Sequence, residues 1–164
     1  MNRGKLTEFG KVIRAVAPID ITGAGADGVW VSMKHYDRLA IVLMSGTWAG
    51  GTSAITVEQA TDSSGTGAKA VAFATYDKTI DADDTPDDTG AVVTVTSNTY
   101  TLGDNDNVHV IDVRAADLDG DSGFCFVRVR AATPGANADL FAALYVLYEA
   151  SYCGKLTTLP SVLS

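Results

Sequence analysis

Glutamate is scarce in this chain. Of 20 acidic residues only Glu8, Glu58 and Glu149 are Glu, and the other 17 are Asp. Glu favours helices, whereas Asp favours turns and caps. With 16 Gly among 164 residues and runs rich in Val and Thr, that scarcity excludes a helical bundle and favours short strands joined by turns. Cysteine is nearly missing too. Cys125 and Cys153 are too few for a disulfide framework. Both sit in apolar runs, where buried free thiols are ordinary, and are expected as core thiols of a protein assembled in a reducing cytosol. No apolar run approaches the roughly 20 residues of a membrane span. No apolar h-region marks the first residues as a secretory signal. No membrane partner is therefore expected.

Positive charge is also short, and the net charge is −8. That argues against nucleic acid, which needs a basic footprint. The deficit is uneven. Residues 1–14 hold Arg3, Lys5, Lys11 and Arg14 against Glu8, a net of +3, so the remaining 150 residues carry −11. Within that basic stretch Leu6, Phe9 and Ile13 recur at helical spacing, and Pro18 stops a helix from continuing. Residues 1–18 read as an N-terminal arm that contacts another chain, or equally as a frayed terminus.

What is abundant is strand and turn. The length suits one domain. Val29, Val31 and Met33 alternate with Trp30 and Ser32. Residues 39–44 are apolar on both faces, as in a central strand. Residues 54–60 and 69–76, joined by the turn around Asp62–Gly67, form the clearest hairpin. Residues 81–90 hold five aspartates and read as a solvated loop. Further strands are expected at 91–96, 98–102, 107–114 and 124–131. Residues 139–153 read as a buried strand, with a helix capped by Asp139 as the alternative. These strands predict an all-β, single-domain β-sandwich, jelly-roll-like, spanning 19–153, with the arm before it and a C-terminal tail at 154–164.

Motifs that could carry chemistry fail on context. Gly23, Gly25 and Gly28 match the dinucleotide fingerprint, yet a strand follows where a helix should open, so a turn is expected and no cofactor. Asp117, Asp119 and Asp121 resemble a calcium loop, but its twelfth position is Arg128, where a bidentate Glu belongs. An irregular calcium site with Asp104, Asp106 or the 81–88 acids stays open beside a plain Asp-rich turn. His35 and His109 lie near no nucleophile in sequence, and no zinc spacing occurs, so structural roles and no metal are expected. The chain reads as no enzyme. Its unusual features are the basic arm and the face of Phe124, Phe126, Arg128 and Arg130, a candidate oligomer interface.

The hairpin VEQATDSSGTGAKAVAF (57–73), the strand HVIDVRAADLDGDSGF (109–124) and the ending PGANADLFAALYVLYEASY (134–152) resemble small structural proteins of tailed bacteriophages and related prophages. The resemblance implies a virion component, and a capsid decoration (cement) protein fits best. Such proteins typically sit as trimers on the outer shell and bridge capsomers. The implied partner is the major capsid protein, reached by Arg3, Lys5, Leu6, Phe9, Lys11, Ile13 and Arg14. The implied location is the capsid surface, after assembly in the host cytoplasm. The acidic loop at 81–90 fits no shared pattern. A head–tail connector or tail component is the alternative within virions. A carbohydrate- or calcium-binding sandwich module is the alternative outside them, supported only by Trp30, Trp48 and the Asp-rich loops.

Overall fold

In the computed structural model the described residues are Leu6, 10–73, 75–79, 91–95, 98–103 and 107–150, with the backbone alone for 75–79 and 91–93. They form twelve strands: β1 (Gly10–Asp20), β2 (Ala26–Asp27), β3 (Val31–Ser32), β4 (Tyr36–Trp48), β5 (Ser53–Ala60), β6 (Lys69–Ala70), β7 (Thr75–Thr79), β8 (Ala91–Thr94), β9 (Thr99–Leu102), β10 (Val108–Arg114), β11 (Phe126–Ala131) and β12 (Asp139–Ala150). Two 3-10 turns, Ala115–Asp117 and Gly120–Ser122, lie between β10 and β11.

The strands make two antiparallel sheets. The first runs β1-β12-β4-β10-β7-β8. The second runs β2-β11-β5-β6, with β3 also pairing β11 and β9 also pairing β5. The pairing is nested from the ends of the chain inward. β1 pairs β12, β2 and β3 pair β11, β4 pairs β10, and β5 pairs β9. The chain thus runs as one long two-stranded ribbon folded back on itself. Further seams, β12 on β4, β10 on β7 and β11 on β5, join successive lengths of that ribbon into sheets. The all-β sandwich expected from the turn spacing is what forms.

Alternation builds the core between the sheets. On β4, Leu39, Ile41 and Leu43 point inward and are fully buried. They stand in register with Leu147, Tyr145 and Ala143 of β12, and with Val113, Ile111 and His109 of β10. From the second sheet Ile55, Val57, Val127 and Val129 meet them, all at 0% exposure. Tyr145 ties the layers together. Its hydroxyl accepts the Val129 N–H at 2.8 Å, and burial pushes that hydroxyl's pKa above its ordinary value. Gly28 passes this point so closely that a Cβ would lie 2.5 Å from the same hydroxyl. Gly23 and Gly25 adopt φ +71 and +70 in the preceding turn. The GAGADG motif is therefore a turn leading into short strands, and no helix opens after it.

The ambiguous segment 139–153 is strand from Asp139 to Ala150. Asp139 caps no helix. Its buried carboxylate instead accepts the N–H groups of Ala49 (2.6 Å) and Gly50 (3.3 Å), closing the turn after β4. The expected arm boundary at residue 18 coincides with no break. Residues 10–18 belong to β1, and β1 holds the edge of the first sheet through β12. The hairpin of 54–60 forms with Glu58 opposite Ala70 and Gln59 opposite Lys69, but its return strand is only two residues long. The acidic loop 81–90 and the tail 154–164 lie outside the described residues.

Candidate interaction surfaces

The outer face of the second sheet is charged and internally paired. Arg128 is in register with Glu58, and Arg130 with Asp27. Arg128 Nε lies 2.7 Å from Glu58 and its Nη1 lies 3.1 Å from Asp27. Arg130 Nε lies 3.2 Å from Asp27. The Arg128 guanidinium also stacks 4.7 Å above the Trp30 ring. Nearby, Lys69 Nζ sits 4.1 Å over the Phe124 ring and 2.6 Å from Asp119. Of the expected interface, Phe126, Arg128 and Arg130 share β11's outer face, while Phe124 precedes the strand beneath Lys69. Both arginines face carboxylates of their own chain, so little of their charge is left for a partner.

The Asp-rich turn is explained by the same local pairing. Asp117 accepts the Arg114 N–H at 3.1 Å. Asp119 takes Lys69, and its N–H donates to Gln59 at 2.8 Å. Lys69 first, then Ser122, holds the Asp119 carboxyl below its ordinary pKa. Among the described residues no group of His, Cys, Asp and Glu is arranged to hold a metal ion. Asp104, Asp106 and the 81–88 acids lie outside those residues. Neither tryptophan offers an open ring for a sugar. Trp48 is buried at 6% exposure and donates to the Gly51 carbonyl. Trp30 is covered by Arg128 and by the Gly65 turn, where a Cβ would sit 2.8 Å from its Nε1. His109 lies in the core with Nδ1 3.0 Å from the Tyr100 hydroxyl, and His35 is exposed beside a turn.

The basic N-terminal set divides. Lys11, Ile13 and Arg14 lie on β1, and Ile13 stands opposite Tyr145 and packs on the core. Ile13 is therefore no arm anchor, because the strand period of two puts it inward where a helix would have grouped it with Phe9. Lys11 and Arg14 are exposed on the edge strand, and Leu6 is 60% exposed. Arg3, Lys5 and Phe9 lie outside the described residues.

One surface was missed in the sequence. The outer face of the first sheet is apolar across four strands. Val12, Val146 and Ala40 form one row, Leu144, Val42 and Val110 the next, and Met44 and Val108 a third, most of them half-buried, with Ala142 beside Met44 buried at 9% exposure. Leu140 extends the patch and is 48% exposed. The signal was present, since residues 39–44 are apolar on both faces, but such a run reads as a strand buried on both sides. Here no described strand stacks on the outer side, because every strand belongs to one sheet or the other. At one end the patch meets polar groups. Asp112 receives Arg38 and, at 3.1 Å, the Tyr148 hydroxyl. Glu149 reaches Arg38 Nε at 3.2 Å from a left-handed backbone, φ +52.

No protein-family model matches the chain, and no curated protein matches it. Among solved structures the fold is similar to that of the SPBc2 prophage-derived protein YomS, at 9% identity and a TM-score of 0.45, over 84% of this chain and 92% of that one.

Proposed function

We propose that the chain is a non-enzymatic structural protein of a phage virion, a decoration protein that binds the major capsid protein and stabilises the assembled shell. The observation that carries this reading is the nested double-sheet body, read together with the sequence resemblance to small phage structural proteins. Its two antiparallel sheets make a β-sandwich, and the jelly-roll form of that architecture recurs in capsid and lectin domains. Such a body holds its outer faces rigid, as a clamp must. The mechanism is mass action. A protein that binds across subunit joints, and not to free subunits, raises shell stability in proportion to its occupancy. The net charge of +3 over residues 1–14 suits an acidic capsid surface, adding attraction that weakens with salt.

The test is co-sedimentation of the purified chain with heads assembled from a tailed-phage major capsid protein, followed by thermal melting of those heads. Binding with a raised melting temperature is expected. Deleting residues 1–9 leaves β1 intact and is expected to weaken binding at least tenfold. Heads that neither bind the chain nor gain stability would overturn the decoration reading. Rings or tubes formed by the isolated chain would replace it with a connector or tail component.

A further inference from the structure

Among the described residues the exposed large hydrophobic side chains gather along one edge of the fold. They are Leu6, Val12, Ile19, Val29 and Leu140, at 44% to 60% exposure. Val12 and Ile19 lie on β1, and Leu6 precedes it. Val29 sits beside β1, its N–H donating to the Ala15 carbonyl at 3.1 Å. Leu140 is in register with Asp20 at the end of β1. We infer that β1 is a docking edge, to which an extended acidic segment of a partner protein adds as one more strand. The inference rests on the decoration reading and deepens it, since it names how the capsid protein is held.

Three observations carry it beyond that clustering. First, the edge is open and long. β1 ends the first sheet, and among the described residues only β12 pairs with it. It has 11 residues, whereas the other strands at the sheet margins have two to four. Very short edge strands protect a sheet from strand addition, and β1 lacks that protection. From Gly10 to Arg14 it pairs β12 without a register shift, so about 17 Å of regular edge is on offer. Second, the charge selects the partner. Lys11 and Arg14 are exposed on this stretch and make no ion pair among the described residues, whereas Arg128 and Arg130 are already paired. They stand on opposite faces of the strand, with Val12 on the face of Arg14. An added strand therefore fits with an acidic residue on each face and an apolar one beside Val12. In strand addition the main-chain hydrogen bonds give affinity, and such alternate side chains give specificity. Third, the same cations disfavour a second copy. Two β1 edges paired with each other would gather four cations in one five-residue stretch, and like charges across strands repel. Charged side chains on an edge strand commonly serve that purpose.

Hydrogen–deuterium exchange of the full chain, free and bound to the tailed-phage heads, tests this. In the bound chain amides of residues 10–14 are expected to exchange at least tenfold more slowly. The double variant Lys11→Glu with Arg14→Glu changes only exposed positions. It is expected to keep the wild-type circular dichroism spectrum and to bind heads at least tenfold more weakly at low salt, with the gap narrowing as salt rises. If that variant misfolds, exchange on the wild-type chain decides alone. Bound heads with unchanged exchange at residues 10–14 would overturn the docking edge and leave the decoration reading standing. Equal binding by the folded double variant would overturn the acidic partner. A dimer of the isolated chain with slow exchange at residues 10–14 would make a second copy the occupant and overturn the proposal. Heads that bind no chain would overturn both readings.

Discussion

The two sheets share one core but present opposite exteriors. Outside β11, the strand alternation puts out Arg128 and Arg130, which meet Glu58 of β5 and Asp27 of β2 across the strands. Outside β12 and β4, the same alternation yields valine, leucine and methionine. The inner faces cannot account for the difference, since both are buried in one core. A paired polar exterior is at rest in water. The aliphatic exterior is mostly half-buried by its own neighbours, with only Val12 and Leu140 exposed at 44% and 48%. The comparison sets a face whose charges are paired within the chain against one that is mostly aliphatic.

The largest expected effect separates the two sides of β4. Ile41→Ala, facing inward, is expected to destabilise the chain by about 2–5 kcal/mol through lost contacts and a cavity. Val42→Ala, facing outward, is expected to cost under about 1 kcal/mol when measured by urea melts. Equal costs would mean that the outer face is as enclosed as the core. Next in size is the link between layers. Tyr145→Phe strands a buried N–H on Val129, and about 1–3 kcal/mol should be lost. Gly28→Ala brings a methyl against the same hydroxyl and should cost a similar amount.

The charged exterior should respond more weakly. Arg128→Met removes the centre of the Glu58 and Asp27 pairs, whose side chains are 15% and 48% exposed. A loss of about 1 kcal/mol is expected after solvent screening, and it should shrink as salt rises. Salt-independent loss would mean that Arg128 acts by packing on Trp30. The smallest effect is in acid. Asp20, Asp62 and Asp119 are all held below their ordinary pKa of 3.8, the first two mainly by Thr22 and Thr66 and the last by Lys69. A depressed carboxyl stabilises the fold above its unfolded value and loses that contribution as the pH falls through the folded one. Thermal melts should therefore be flat from pH 7 to about 5 and decline below about 4. A decline beginning above pH 5 would point to other groups.

Much of this architecture was legible in the sequence. Alternation at 54–60 and 107–114, together with the Asp and Gly turns between runs, announces strands because side-chain period and turn chemistry are local properties. The same locality explains why the Gly23–Gly28 motif and the aspartates at 117–121 were readable as turns. Other features were not local. Whether Ile13 belonged to a helical stripe or a strand depended on β12 lying beside it. The role of Asp139 depended on a turn ninety residues earlier in the chain. Arg128 and Arg130 looked available for a partner until Asp27 and Glu58 arrived from other strands to neutralise them.

By itself, then, the sequence determined an all-β body, its turns, and which residues of each strand share a face. Periodicity and backbone conformation set these within a few neighbouring residues. Only the tertiary structure decided which faces found cover. Strands 39–44 and 140–147 carry two apolar sides, and periodicity cannot say which side meets the second sheet. The nested pairing of distant strands does, and it leaves the Val42 side half-buried while burying the Ile41 side fully.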